Sequence, residues 1–278
     1  MNKTNFFVSC VFSVYLITVL LINSTQTTAQ QRRSPSNNTN QVGVRFVSPT
    51  LEKEPENRGA PDERVGAGTR RGDCPAIPVN KPHLTSLVPL MQRTLTQKQQ
   101  GTTSKFVLGL TVAEYPTFWF YVPYAPKDVR AVKFMLLDEN NNSVTKEPIP
   151  ITLSGTPGVI SFSFPQKEKP LLVGKYYHWY LLIDCNPASR SADINIQGLV
   201  QRVEPNSDLM RRLETATPQE RIALYARSGI WHEAIALLGE LRRTKPQDAA
   251  LASDWVNLLR SVELENIATE PIVPCCKP

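Results

Sequence analysis

Between Phe106 and Val203 the chain breaks into seven short runs of β-branched, aromatic and aliphatic residues, and no other feature limits its fold as strongly. The runs cover 106–113, 117–124, 131–138, 143–153, 159–164, 176–184 and 194–203. Turn chemistry separates them: Tyr115-Pro116, Pro123 to Asp128, Asn140-Asn141-Asn142, Gly155 to Gly158, and Pro165 to Gly174. Asn and Gly tolerate positive φ and Pro fixes φ, so each separator has a mechanism. Fourteen of the 22 aromatic residues lie between Phe106 and Cys185. Seven short strands at this spacing predict an immunoglobulin- or fibronectin-like β-sandwich. The 23 prolines also argue against a mainly helical protein, since an interior proline costs a helix ~3 kcal/mol.

One segment sharpens the sandwich reading. Leu171-x-x-Gly174-x-x-Tyr177-x-Trp179 has the form of a tyrosine corner, in which a Tyr hydroxyl returns to backbone a few residues upstream. With period two, Tyr177, Trp179, Leu181, Ile183 and Cys185 share the core face. His178 then points the other way with Tyr176 and Tyr180, and reads as a surface or edge residue.

The period becomes helical after Pro205. Thr217-Pro218-Gln219-Glu220 supplies an N-cap, a proline at N1 and an acidic N3, which together make a capping box. That helix runs to Arg227 and stops at Ser228-Gly229; a second spans about 230–244 and a third about 248–261. Tyr225, Gly229, Ala234, Leu238 and Pro246 occupy the places of the 34-residue tetratricopeptide pattern. One and a half repeats do not bury a solenoid face, so the unit either packs on the sandwich or completes its array with another molecule. The doublets Arg211-Arg212 and Arg242-Arg243 read as solvated helix faces.

The amino terminus indicates the compartment. Lys3 is the only charge in the first 31 residues, and an apolar run from Phe6 to Ile22 leads to small residues at Thr27 and Ala29. This is the order of a secretory signal cleaved after Ala29, with an uncleaved anchor as the other reading. Loss of residues 1–29 lowers the net charge from +6 to +5, and export makes nucleic acid an unsuitable partner despite the basic balance. Four cysteines then remain: Cys74, Cys185, Cys275 and Cys276. In an oxidising compartment Cys74 and Cys185 are expected to bridge, because the other two sit in a proline-flanked tail. Cys275 and Cys276 either pair with another chain or stay free. No C-x2-C spacing supports a zinc site.

No catalytic constellation is legible. There is no G-x-S-x-G or H-E-x-x-H, and only three histidines are present. Glu114, Asp138, Asp184, Asp193 and Glu204 stand at strand ends, where carboxylates are ordinary turn and edge residues. Gly66 to Gly72 lacks the Lys-Ser/Thr ending of a phosphate loop. No metal or cofactor is therefore expected. Phe118-Trp119-Phe120-Tyr121 is aromatic on both faces of its strand. Either the second face is covered by residues 75–105 or by the helices, or Trp119 and Tyr121 form an exposed platform for a glycan or a protein.

Several stretches together resemble an uncharacterised cyanobacterial family, domain of unknown function 928. They are Gly109-Leu-Thr-Val-Ala-Glu-Tyr-Pro-Thr-Phe-Trp-Phe-Tyr-Val-Pro-Tyr124, Gly155-Thr-Pro-Gly158, Gly174 through Trp179, Gly198-Leu-Val-Gln-Arg-Val-Glu-Pro205, and Thr217-Pro-Gln-Glu-Arg-Ile-Ala-Leu-Tyr-Ala226 with Gly229-Ile-Trp231. The resemblance covers about residues 57–273. It implies export and no assigned activity, and it supports the Cys74–Cys185 bridge.

The expected organisation is a signal at 1–29, a disordered linker at 30–73, a transitional segment at 74–105, a β-sandwich at 106–205, a tetratricopeptide-like helical unit at 206–270 and a tail at 271–278. The fold class is mainly β with C-terminal α. The expected function is an exported, periplasmic or extracellular, non-enzymatic module that binds a protein partner of the cell envelope. It has no membrane association once the signal is removed. A glycan-binding protein or hydrolase using Trp119 and Tyr121 is the alternative. A third expectation is an assembly accessory working by strand addition at a sandwich edge.

Overall fold

Strand alternation sorts the β-rich region into two sheets that share a core. The computed structural model describes residues 43–51, 62–66, 74–94, 103–185 and 193–276; the expected signal and most of the expected linker lie outside them. The elements in chain order are β1 (Thr85–Ser86), β2 (Leu90–Thr94), β3 (Thr103–Thr111), β4 (Thr117–Val122), β5 (Ala131–Leu137), β6 (Ile149–Ile151), β7 (Gly158–Ser163), β8 (Tyr176–Asp184), β9 (Ile194–Arg202), α1 (Ser207–Thr215), α2 (Pro218–Arg227), α3 (Trp231–Thr244) and α4 (Ala249–Arg260). The protein is thus mainly β with C-terminal helices.

The inner sheet has three strands, in the order β1-β4-β7, and the outer sheet has six, in the order β2-β3-β9-β8-β5-β6. Among these nine strands every pairing is antiparallel except β3 with β9. Alternating residues of the two sheets meet in one core: Phe118, Phe120, Ile160 and Phe162 from the inner sheet face Val132, Phe134, Leu136, Trp179, Leu181 and Ile196 from the outer. Tyr177 closes the corner as its spacing predicts, its hydroxyl accepting from the Leu172 amide at 2.9 Å.

β4 is the informative strand, because five consecutive residues, Phe118 to Val122, are buried. A strand buried on both faces must lie in a middle layer. α2, α3 and α4 supply the covering layer, with Ile222, Ala234, Leu238, Leu251, Trp255 and Leu259 packed against Trp119, Tyr121 and Val159. The molecule is therefore layered as helices, inner sheet and outer sheet. Local signals place the helices: Thr217 and Glu220 form the expected capping box on α2, and Asn206 and Asp248 cap α1 and α4.

Three expectations need correction. The stretch 143–153 is not one strand: Ser143 makes an isolated bridge to Leu137, and a ladder forms only at Ile149–Ile151, since Pro148 and Pro150 carry no N–H to extend it. Residues 74–105 contain β1, β2 and the start of β3, with Leu84 and Val88 in the inter-sheet core and Leu87 under the helices. The 30–73 stretch is not linker throughout, because residues 43–51 lie along the helices. There Val44 N donates to Asp254 Oδ1 (3.2 Å), Phe46 N to Ser261 Oγ (3.0 Å) and Val47 N to the Ala226 carbonyl (3.0 Å). Val44 and Phe46 alternate within polar sequence, a signal too short to read as structure.

Both edges of the inner sheet are paired by the chain itself. Val65 bridges to Thr85 on β1, and Ile272 bridges to Val159 on β7.

Candidate functional site

The aromatic face expected to be available for a ligand is inside the protein. Trp119 and Tyr121 are each 1% exposed. Trp119 lies 5.8 Å from the Trp255 ring, under the Arg243 guanidinium at 5.4 Å. Gly239 makes room for it: a Cβ there would stand 2.1 Å from the indole. Burial, and then the Glu270 carboxylate to which its hydroxyl donates, push the Tyr121 phenol up to about 12. Glu270 also pairs with Lys81 at 2.9 Å. The exposed-platform expectation is corrected because the helices cover this face, and the glycan reading loses the two residues on which it was built. Arg242 and Arg243 are corrected with it. They stack on Trp255 and Trp119, and Arg243 Nη2 also donates to Ser161 Oγ on β7 at 3.0 Å.

The first turn of α3 places three chemistry-bearing side chains at the sheet. Trp231 Nε1 donates to the Leu87 carbonyl at 2.7 Å. His232 Nδ1 lies 3.0 Å from the Thr117 carbonyl, which can only accept, so Nδ1 carries the proton. Its Nε2 faces Gly109, where a Cβ would stand 2.5 Å away. Complete burial lowers the imidazole to about 4, against the weaker raising effect of the Thr117 bond, so His232 is neutral at pH 7. Glu233 Oε1 accepts from Thr111 Oγ1 (2.6 Å) and from the Val112 and Ala113 amides (3.1 Å each). Burial raises its carboxyl above the usual range, outweighing these bonds. Arg64 works in the same way nearby, giving Nη1 to the Val262 carbonyl and Nη2 to the Glu263 carbonyl, each at 2.6 Å. Each of these four side chains reaches across to backbone, and Glu233 also to Thr111, so they act as joints between layers, although His232 Nε2 and Glu233 Oε2 are buried without a partner among the described residues. Sequence reading missed this role for His232, Glu233 and Arg64. The signal was Gly109 in an otherwise bulky strand.

The remaining candidates are dispersed. Cys74 and Cys185 are bonded, with Cα atoms 5.2 Å apart. Cys275 and Cys276 are bonded to each other, which corrects the expectation that they are free or pair with another chain. Glu114 pairs with Arg202 at 3.2 Å, Asp184 with Arg130 at 2.6 Å, and Asp138 accepts from the Asn140 and Asn142 amides at 2.8 Å each. These acids hold turns and strand ends and do not converge. Among the described residues no group of three His, Cys, Asp or Glu stands close enough to share a metal ion. A cleft of about 410 Å³ lies between Lys146–Pro150 and Lys167-Glu168, where two lysines and two glutamates offset one another.

A different surface breaks the usual alternation. On the outward side of the outer sheet, β5 presents Lys133, Met135 and Leu137 opposite Leu182, Tyr180 and His178 of β8. Those three stand in turn opposite Asn195, Gln197 and Leu199 of β9. Met135, Leu137, His178, Tyr180 and Leu182 are half-buried, on a side where polar residues are the rule. The Tyr180 hydroxyl lies 3.0 Å from His178 Nδ1, and the two rings lie 4.4 Å apart. Burial lowers the His178 imidazole, so the patch gains no charge from it at neutral pH. At one end the strip runs into a small covered cluster of Phe106, Leu108, Leu110, Tyr176 and Leu199.

A family model described as Domain of Unknown Function (DUF928) matches residues 65–272. No curated protein matches the chain, and neither does any solved structure.

Proposed function

The chain belongs to the family described as Domain of Unknown Function (DUF928), and from that premise and the geometry we propose that it is an exported, non-enzymatic protein-binding module whose contact surface is the outward face of the six-stranded sheet. The observation that carries this reading is the half-exposed strip of Met135, Leu137, His178, Tyr180 and Leu182. A flat face with aromatic and aliphatic groups around a few polar ones suits a protein surface. The aromatic face of Trp119 and Tyr121, by contrast, is taken up by internal packing.

Finer features support the same reading. In the outer sheet the order β3-β9-β8-β5-β6, with its parallel β3/β9 pair, lies across from β1-β4-β7. Together with the Tyr177 corner this favours an immunoglobulin-type sandwich. The α2–α3 hairpin buries Ala234 and Leu238 at the tetratricopeptide positions, which favours one such repeat docked within the chain. Export rests on Lys3, the apolar run to Ile22 and the Cys74–Cys185 bridge, a bond that suits an oxidising compartment. Among the described residues no helix is long and apolar enough to cross a membrane.

The test is comparative capture from envelope extract with wild type, Tyr180→Asp and, as a control charge reversal away from the face, Lys167→Glu. The reading expects a protein retained by wild type and Lys167→Glu and depleted about tenfold by Tyr180→Asp, the loss of a central contact. Equal recovery with all three, in proteins of equal stability, would overturn it.

A further inference from the structure

The two cysteine bridges differ in what they constrain. Cys74–Cys185 spans 111 positions, whereas Cys275–Cys276 joins neighbours. Loop-closure entropy grows with loop length, so a bond between adjacent residues removes far less freedom from the unfolded chain than one across 111 positions. Global stability is therefore a minor part of what the second bridge does.

Its position does suggest a role. The segment leading to it is laid along the β7 edge: Val159 N donates to the Pro271 carbonyl at 2.8 Å, and Val273 N donates to the Val159 carbonyl at 2.9 Å. The Val273 side chain enters the inter-sheet core. Ser154 Oγ donates to the Pro274 carbonyl at 2.9 Å. The crossing is built for this segment, since a Cβ at Gly158 would stand 2.7 Å from Val273 Cγ1 and 2.8 Å from the Pro271 carbonyl oxygen. The bonded pair follows directly, half-exposed, with Cys275 Sγ 3.6 Å from the Thr152 carbonyl oxygen. Cys276 sits at φ 65°, a region that residues with a side chain rarely adopt. The closed ring ties that backbone conformation to the sulfur–sulfur bond.

We propose that Cys275–Cys276 is a thiol–disulfide exchange site for a dithiol reductant, and that opening it loosens residues 271–276 from the β7 edge. In the first step a thiolate of the reductant attacks one of the two sulfurs. The Cys275–Cys276 bond breaks, a mixed disulfide forms, and the other cysteine leaves as a thiolate. The second thiol of the reductant, deprotonated, then attacks its own sulfur in the mixed disulfide. This closes the reductant's disulfide and releases the second cysteine. Two electrons pass to the protein pair, and the two protons lost by the dithiol are taken up by the two new thiols. With the ring open, Cys276 is free to leave positive φ, and the chain beyond Pro274 no longer holds one direction. The inner sheet then presents an edge that its own segment had covered.

The experiment titrates the full chain with dithiothreitol, mapping thiols by alkylation and mass spectrometry and following amide exchange at Val159 and Val273. The expected result is labelling of Cys275 and Cys276 while Cys74–Cys185 stays intact, with exchange at the two amides rising about tenfold. Cys275→Ser/Cys276→Ser should show the faster exchange without reductant and no further change when it is added. Reduction of both bridges together, or unchanged exchange after selective reduction or in the double-serine protein, would overturn the proposal.

Discussion

The two faces of β4 lie one residue apart in sequence and belong to different kinds of core. Phe118 and Phe120 point into the space between the sheets, where Trp179, Phe134 and Phe162 surround them and the packing is overwhelmingly aromatic and aliphatic. Trp119 and Tyr121 point to the helices, where the packing is threaded by buried polar anchors: Trp231 to Leu87, His232 to Thr117, Glu233 to Thr111, and Tyr121 to Glu270. The first core needs only alternation and volume. The second must hold a helix at one place on a sheet, and hydrogen bonds with defined partners do that where apolar contact alone permits sliding. The lesson is that strand periodicity identifies which residues are buried but not which layer buries them.

The largest expected effect falls on the inter-sheet side. Removing the bridge beside that core with Cys74→Ala/Cys185→Ala is expected to cost about 4–5 kcal/mol on the chain-entropy model, checked by urea denaturation. Cys275→Ala/Cys276→Ala should cost only about 1 kcal/mol on the same model, since its loop is so short. Equal losses from the two pairs would break the distinction drawn between them.

Next come truncations on the two faces of β4. Phe120→Ala and Trp119→Ala are each expected to cost roughly 3–5 kcal/mol, because both side chains are fully enclosed. Had Trp119 been an exposed platform, its truncation would cost well under ~1 kcal/mol, as for most surface substitutions. Thermal or urea unfolding of the two variants separates these outcomes.

A smaller effect, in pH, sharpens the contrast. His232 is lowered to about 4 in the folded protein by burial, against an ordinary value of 6.5. The unfolded chain therefore binds the extra proton first. The stability tied to neutral His232 is full above about pH 6.5 and is lost as pH falls through about 4. The loss is of order 3 kcal/mol. Glu233 works in the opposite sense, because burial raises its carboxyl and the folded state holds that proton more tightly. His232→Asn keeps Glu233 in place, so comparing it with wild type isolates the histidine. Between pH 7 and about pH 4 wild type should lose about 3 kcal/mol more than the variant, measured by chemical denaturation. Parallel pH curves would show that His232 does not sit neutral in the joint.

Much of this was legible before the structure. β8, its Tyr177 corner and the Thr217 capping box follow from local rules, the Cys74–Cys185 bridge follows from the compartment and the few cysteines left to choose from, and each is present. The predominance of strands with helices after them was legible for the same reason. Layer contacts were not, because His232 and Glu233 find their partners more than a hundred residues earlier and no local pattern records such a pairing. Val44, Phe46 and Arg64 were hidden in polar sequence, since two apolar residues and one cation do not distinguish a docked strap from a linker. The strip on the outer sheet was half visible. His178 and Tyr180 were placed on the outward side by period two, but Met135 and Leu137 join them only through the β5–β8 register.

The helices and the two sheets form one folded body, joined through Trp119 and Tyr121, with the outward face of the outer sheet left open. Equilibrium urea unfolding tests it directly when followed by far-ultraviolet circular dichroism for the helices and by fluorescence of the buried Trp119, Trp179, Trp231 and Trp255. The account predicts one transition with coincident midpoints for both signals, as a single cooperative unit requires. Loss of the helical signal at lower urea than the tryptophan signal, with the sheets still folded, would contradict it.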